Sequence, residues 1–121
     1  MLQIDRVTRI EGTGLTAEMD LAHHWVFAQH FPTDPIFPGT LLIEAAGQAV
    51  AIWAWDKGMR GKPRLAKVSA SFESPLLPED GVASFLVAVR QRKNIIIGKT
   101  EVFAGDRRVA EVELTLVIVP L

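Results

Sequence analysis

The sequence gathers the side chains best suited to acid–base chemistry in one short region. His30 opens the stretch 30–39, which reads HFPTDPIFPG, and Glu44 follows five residues after its end. Imidazole and carboxyl groups are among those that most often transfer protons in enzyme reactions. One of them could remove an activated proton while the other protonates a leaving hydroxyl group. His30 and Glu44 are therefore candidate catalytic residues.

The residues around this pair could bind a substrate and its developing charge. Pro38 and Gly39 stand at the start of a predicted helix, where backbone N–H groups lack partners within the helix and the helix dipole is positive. Such donors can stabilise an oxyanion. Gln48 lies four residues after Glu44 and therefore on the same helix face. The group as a whole resembles a site for acid–base chemistry on a carbonyl compound.

Each candidate also has an ordinary structural explanation. Phe31 and Phe37 could form a wall of the site or could equally pack in the core. A histidine in a loop commonly packs or forms a hydrogen bond without taking part in a reaction. A carboxylate within an apolar helix is costly unless it is paired, so Glu44 is the more informative residue of the candidate pair. Residue types alone leave both interpretations open.

A long helix must position these residues. Between Thr40 and Trp55 the only strongly polar side chains are Glu44 and Gln48. Proline suits the first turn of a helix and glycine its end, so the pattern predicts a helix from about Pro38 to Lys57. The run is too short for a membrane span and carries a carboxylate. Apolar residues occur on all its faces, which predicts burial nearly all round.

Alternating segments predict the strands that would surround this helix. The predicted strands lie at about 4–9, 15–21, 67–72, 82–90, 95–103 and 109–119. The order predicts an α+β fold, an antiparallel sheet wrapped around a long central helix, with residues 1–121 as a single domain. The last three strands are apolar on both faces in places, which predicts a partner subunit as cover.

Composition excludes several classes of function. The chain has 121 residues and no cysteine, which rules out disulfides, thiolate catalysis and cysteine-based zinc sites. Its net charge of −1 argues against a nucleic-acid coat or a polybasic membrane anchor. The adjacent His23 and His24 lack a third ligand at helical spacing, so we expect no metal and place both at solvent or interface positions. Without the charged and apolar regions of a signal peptide at its start, the sequence predicts an intracellular, cytoplasmic protein.

Positive charge is concentrated in the second half of the chain. Residues 57–108 contain 11 of the 13 basic side chains and only five acidic ones. Five cations cluster directly after the predicted helix: Lys57, Arg60, Lys62, Arg64 and Lys67. Such a cluster could steer an acidic partner towards the site, with a merely solvated loop as the alternative.

One run of residues resembles a known family signature: His30-Phe31-Pro32-x-x-Pro35-x-x-Pro38-Gly39-x-Leu41-x-x-Glu44-Ala45-x-x-Gln48. It is similar to the signature of β-hydroxyacyl-acyl-carrier-protein dehydratases of the FabZ type, which have the hot-dog fold. A looser likeness extends from Ile4-Asp5-Arg6-Val7 through Phe72-x-x-Pro75-x-x-Pro78-x-Asp80 to the last strand. The chain departs from the usual pattern at Thr33, Gly47 and Ser71, which indicates a divergent member.

The resemblance implies a role for each candidate. His30 would take the α-proton of a β-hydroxyacyl thioester, and Glu44 of the partner subunit would assist loss of the β-hydroxyl group as water. The Gly39 N–H would bind the thioester carbonyl, and Gln48 would orient the carboxylate. The related FabA type usually carries Asp at the position of Glu44, so simple dehydration is favoured over dehydration with isomerisation.

The resemblance also implies the partners. They are an acyl carrier protein and a second copy of the chain, in dimers that could assemble into a trimer of dimers, without metal, organic cofactor, nucleic acid or membrane. The product would be a trans-2-enoyl thioester in fatty-acid, polyketide or aryl-polyene type biosynthesis. A coenzyme-A hydratase or thioesterase of the same fold and a non-catalytic carrier-binding subunit are the alternatives.

Overall fold

The computed structural model describes residues 3–29 and 36–120. Two of the predicted site residues, His30 and Phe31, lie outside this range. Six strands and two helices follow one another along the chain: β1 (Arg6–Glu11), β2 (Gly14–Asp20), α1 (Val26–Gln29), α2 (Gly39–Asp56), β3 (Lys62–Phe72), β4 (Val82–Arg92), β5 (Ile95–Ala104) and β6 (Arg107–Val119). A short 3-10 turn at Pro78–Asp80 precedes β4. The predicted long helix is confirmed to within one residue at each end.

The strands form one antiparallel sheet in the order β1-β2-β4-β5-β6-β3. The sheet packs against α2, in agreement with the predicted α+β hot-dog fold. Two tight turns, at Lys93-Asn94 and Gly105-Asp106, join β4 to β5 and β5 to β6. They lie in the gaps between the predicted strands 82–90, 95–103 and 109–119. No helix in the described part of the chain is long and apolar enough to cross a membrane.

One face of α2 packs closely on the sheet. Its buried side chains are mostly small: Leu42, Ala45, Ala46, Ala49, Val50, Trp53 and Ala54. Gly98 on β5 permits the close approach, because a Cβ atom there would lie only 2.4 Å from Cγ2 of Val50. The indole Nε1 of Trp53 donates a hydrogen bond to the carbonyl of Glu11 (2.9 Å), which ties the β1–β2 turn to the helix.

The opposite face of α2 is uncovered. Thr40 and Glu44 are exposed, and Gly47, Gln48 and Ala51 are only partly buried. The expectation that the helix is buried nearly all round is therefore wrong for the single chain. The sheet covers one side of the helix, and residue types could not distinguish a face covered by the sheet from an apolar face that the chain leaves open.

Strand β3 is longer than predicted and lies at the edge of the sheet. It begins at Lys62 rather than near Lys67, so the cations there lie on a strand instead of in a loop. Pro63 suits an edge strand because proline has no backbone N–H to donate to a neighbouring strand. Every residue of β3 is exposed, including Leu65 (53%) and Phe72 (51%).

A β-bulge at Ala66 sorts the side chains of β3. Leu65 pairs with Leu116 and Val68 with Leu114, so both lie on the helix side of the sheet although they are three residues apart. The side chains of the opposite set point to the outer side, where three of them are cations: Lys62, Arg64 and Lys67. The bulge thus keeps apolar side chains beside α2 and places the positive charges on the other face.

Ion pairs occupy much of the outer face of β5 and β6. Arg108 contacts the carboxylates of Glu73, Glu101 and Glu111, and Lys99 lies 3.7 Å from Glu111. This face therefore needs less apolar cover than the sequence suggested. Apolar side chains still remain exposed on the outer face of the sheet, at Leu86, Ile95 and Val119, and further apolar surface lies on the open face of α2 and along β3.

Candidate active site

The start of α2 presents a backbone donor to the surface. Pro38 has an extended conformation (φ −65°, ψ 135°), and no side chain caps the helix. Its carbonyl accepts hydrogen bonds from the N–H groups of Leu41 (3.1 Å) and Leu42 (3.3 Å). Within the described residues the N–H of Gly39 has no acceptor. A donor without an acceptor at a helix start suits an oxyanion-binding role, which stays a prediction for Gly39.

A groove of about 600 Å³, here named the helix-start groove, surrounds this donor. Its wall includes the Phe72 ring, which lies so close to Gly39 that a Cβ atom on the glycine would be 2.7 Å from Cζ of Phe72. Only glycine allows the ring to take this position. The groove is lined by Ile36, Phe37, Gly39, Thr40, Leu42, Phe72, Glu73, Ser74, Pro75 and Leu76.

A second groove of about 400 Å³, the helix-face groove, lies along the open side of α2. Among the described residues of its lining, which are otherwise largely apolar, Glu44 is the sole ionisable one. Thr40 lines both grooves, so they meet at the first turn of the helix. The residues that line the helix-face groove are Thr40, Ile43, Glu44, Gly47, Gln48, Ala51, Pro63, Leu65, Leu114 and Leu116.

Gln48 shares this groove with Glu44, as their spacing predicted. Its Oε1 accepts a hydrogen bond of 2.6 Å from the backbone N–H of Gln3. The oxygen of the amide is thereby assigned as the acceptor and the nitrogen as the donor. The amide nitrogen is thus available as a donor, and the role of Gln48 in orienting the carboxylate stays a prediction.

Phe37 belongs to the core as well as to the wall of the helix-start groove. It is buried, its N–H donates to the carbonyl of Leu76 (2.8 Å), and its ring makes edge contacts with Phe27 and His24. Phe27 lies on α1, which ends at Gln29, the residue before His30 in the sequence. The elements on either side of the stretch 30–35 thus pack together near the start of α2.

Comparison with known proteins identifies the family of the chain. The family model of the FabA-like domain matches residues 1–113. The chain belongs to the FabA-like family. A 3-hydroxyacyl-[acyl-carrier-protein] dehydratase FabZ from Symbiobacterium thermophilum is 34% identical over 123 residues, which cover 98% of this chain and 87% of that protein. Within the FabA-like family, the chain is a divergent dehydratase of the FabZ type.

Solved structures support the hot-dog fold of this FabA-like chain. The dehydratase heterocomplex ApeI:P from Xenorhabdus doucetiae matches with a TM-score of 0.79 and 13% identity, over 98% of this chain and 83% of that one. A thioesterase from Haemophilus influenzae matches with a TM-score of 0.74 and 14% identity, over 96% of this chain and 78% of that one. At such identities the likeness concerns the fold alone.

Two departures from the FabZ pattern lie within the described residues. Ser71 pairs with Glu111 on the outer side of β3, so this change faces away from both grooves. Gly47 lines the helix-face groove, and a Cβ atom there would meet nothing closer than 4.0 Å. Neither departure removes a group that the site needs. The third departure, Thr33, lies outside the described residues.

Sequence reasoning missed the position of His24 in this FabA-like chain. His23 is exposed, but the ring of His24 packs against those of Trp25, Phe27 and Phe37 and takes part in two hydrogen bonds. Burial lowers its pKa below the ordinary value. The aromatic residues at 25 and 27 were the only signal of such packing. No group of three potential metal ligands occurs among residues 3–29 and 36–120.

Proposed function

We propose that the chain dehydrates β-hydroxyacyl thioesters carried by an acyl carrier protein and releases trans-2-enoyl thioesters. The single observation that carries the proposal is the placement of Glu44. Among the described residues it is the one ionisable side chain in an otherwise mostly apolar groove, and it lies within about two helical turns of a helix start whose Gly39 N–H can bind a carbonyl oxygen. Membership of the FabA-like family and the FabZ relatives support this reaction.

The proposed roles balance the reaction. His30 removes the α-proton, the electrons of the C–H bond form the double bond, and the C–O bond of the β-hydroxyl group breaks as Glu44 protonates the leaving oxygen. The Gly39 N–H and the positive end of α2 stabilise the negative charge that develops on the thioester carbonyl. Water leaves, and the proton on His30 is exchanged through solvent to restore Glu44.

The proposal requires a second copy of the chain. Glu44 and Gln48 lie on an open helix face beside the exposed edge strand β3. A second copy that pairs its own β3 with this edge would satisfy the unpaired backbone groups and cover the apolar groove. Because covering the groove removes Glu44 from water, the paired site gives the acid–base chemistry a low-dielectric environment. Each site would then combine His30 of one subunit with Glu44 of the other.

The outer cations of β3 are the proposed docking point for the carrier protein. Lys62, Arg64 and Lys67 share one face and are exposed. These cations would recognise the carrier protein by its acidic surface. The attraction acts over about the Debye length, so added salt weakens it. The neutralised variant Lys62→Gln/Arg64→Gln/Lys67→Gln should raise KM for a carrier-bound substrate about tenfold. It should leave KM for a small neutral thioester unchanged, and equal effects on both substrates would reject the patch.

The decisive experiment is hydration of a crotonyl thioester, the reverse reaction, with product analysis by mass spectrometry. The wild type should form the β-hydroxyacyl thioester, and His30→Ala and Glu44→Gln should each lower kcat by at least about a hundredfold. Glu113→Gln, which changes an exposed carboxylate on the outer face of β6, is the matched control and should keep full activity. Release of free acid and thiol would instead identify a thioesterase, and no turnover would identify a carrier-binding subunit.

Co-expression of the two inactive variants tests the shared site. In a mixed dimer one site carries both substitutions and the other carries neither, so random pairing should restore about a quarter of the wild-type rate. If dimers that are shown to be mixed have no activity, His30 and Glu44 of one site come from the same chain. A cytoplasmic location and a pathway of fatty-acid, polyketide or aryl-polyene type remain part of the proposal.

A further inference from the structure

His24 forms two hydrogen bonds that fix its protonation. Its Nδ1 lies 3.2 Å from the backbone nitrogen of Val26, whose N–H can only donate, so Nδ1 must be the acceptor. In the neutral ring the proton therefore lies on Nε2. That nitrogen is 3.0 Å from Oε1 of Gln3 and donates to it. A single tautomer satisfies both contacts.

Gln3 extends this chain of hydrogen bonds to helix α2. Its side chain is only 3% exposed, and its backbone N–H donates to Oε1 of Gln48. The hydrogen bonds therefore run from Val26, the first residue of α1, through His24 and Gln3 to Gln48. Gln48 lies one helical turn after Glu44. These hydrogen bonds connect the short helix that precedes His30 in the sequence with the face of α2 that carries Glu44.

The arrangement costs stability and so calls for an explanation beyond packing. Oε1 of Gln3 accepts the hydrogen bond from His24. Nε2 of Gln3 is therefore left buried without an acceptor in the described part of the protein. A buried polar group without a partner is unfavourable by about 1–3 kcal/mol, and an apolar side chain of the same length would avoid that cost. A glutamine at position 3 is useful despite this cost if the hydrogen bond that it accepts from His24 is needed to hold the His24 ring in one orientation.

We infer that His24 and Gln3 are positioning residues that fix, within one chain, both the start of the helix that leads to His30 and the Gln48 amide beside Glu44. This inference rests on the proposed function, in which His30 and Glu44 of one chain serve the two different sites of a dimer. The hydrogen bond that the Val26 N–H donates to His24 fixes the start of α1, and the bond that the Gln3 N–H donates to Gln48 fixes the orientation of the amide beside Glu44. The two residues touch no reacting atom and act through these neighbours.

Two single variants and their combination test the inference. His24→Asn keeps an acceptor for the Val26 N–H, because Oδ1 of asparagine occupies the place of Nδ1, but it removes the donor to Gln3. Gln3→Met keeps the backbone bond to Gln48 and removes the acceptor for His24. His23→Asn changes the adjacent exposed histidine and is the matched control.

Each single variant should lower kcat for crotonyl-thioester hydration about tenfold and change KM by less than about twofold, because misplacement of a catalytic group weakens the reaction step more than binding. The double variant should be no slower than the slower single variant, since both changes remove the same hydrogen bond. His23→Asn should retain the wild-type kcat. Full kcat in both single variants, or effects that multiply in the double variant, would overturn the inference.

The nitrogen NMR signals of His24 give a readout that does not depend on activity. We expect a protonated Nε2 and an unprotonated Nδ1 in the wild-type protein at neutral pH. The opposite tautomer would refute the geometry on which the inference depends. The failures are distinguishable: an inactive wild type with the expected tautomer rejects the proposed function, whereas an active wild type whose single variants are undiminished rejects only the roles of His24 and Gln3.

Discussion

Gly98→Ala should destabilise the protein by forcing the sheet away from the helix that carries Glu44. The added Cβ would lie 2.4 Å from Cγ2 of Val50, whereas carbon atoms in ordinary contact are about 3.5–4.0 Å apart. Strand and helix would therefore have to separate by about 1 Å. Val50 cannot turn aside easily, because a β-branched side chain in a helix has one strongly preferred rotamer and its environment is fully buried.

The magnitude follows from two opposing effects. Overpacking of a core typically costs about 1–3 kcal/mol, and the gain from replacing glycine in a strand is about 0.5–1 kcal/mol. We expect a net loss of about 1–2 kcal/mol, measured by urea unfolding at one fixed protein concentration. Gly12→Ala is the matched control, because no atom lies within 4 Å of its added Cβ, and its effect should stay within about 0.5 kcal/mol.

A double variant shows whether the contact with Val50 is the cause. Val50→Ala alone should cost about 2 kcal/mol by leaving a cavity. Combined with Gly98→Ala it should cost little more, since the new methyl group then enters the space that the valine left. If the cost of the double variant instead equals the sum of the two single costs to within about 0.5 kcal/mol, the contact with Val50 is not the cause of the stability lost in Gly98→Ala. The Gly98→Ala protein should also lose hydratase activity, because the displaced helix carries Glu44.

Three further changes have simple expected outcomes. Gly47→Ala should raise the free energy of unfolding by about 0.5–1 kcal/mol, because alanine favours helix and no atom would lie closer than 4.0 Å to its Cβ. A lower free energy of unfolding in urea would show that the space for the methyl group is lacking. Trp53→Phe should lower it by about 1–2 kcal/mol by leaving the buried indole's hydrogen bond to Glu11 unmade, and an unchanged midpoint would show that water replaces the indole. Burial lowers the pKa of His24, so the unfolded chain binds its proton more readily and stability should fall as the pH drops below the ordinary value of 6.5. His24→Asn should reduce the difference between urea midpoints at about pH 7.5 and about pH 5.5, and an equal difference in both proteins would refute the assignment.

The sequence predicted the elements well where local chemistry decides the structure. Pro38 and Gly58 bracket the helix, and it begins and ends within one residue of the expected positions. The tight turns after β4 and β5 were visible as polar segments between alternating runs. The predicted strand β3 was too short, because Pro63 and the cations around it have the composition of a loop. Its pairing with β6 is a tertiary contact that no local pattern reports.

The site was harder to predict because it depends on which faces the fold covers. The spacing of Glu44 and Gln48 correctly placed them on one face of α2. The sequence did not show that this face is open, because an apolar helix has the same pattern whether the sheet or another chain covers it. His24 gave even less indication, since its role depends on Gln3, which is 21 residues away in sequence.

The bulge at Ala66 makes this position of β3 unusually tolerant of change. Ala66 is exposed and has no partner residue in β6, so many side chains could replace it. Loss of that one residue would restore strict alternation and leave Leu65, Val68 and Phe72 on the helix side, because Leu65 and Val68 would then be two positions apart. The strand could therefore become one residue shorter here without exchanging its two faces.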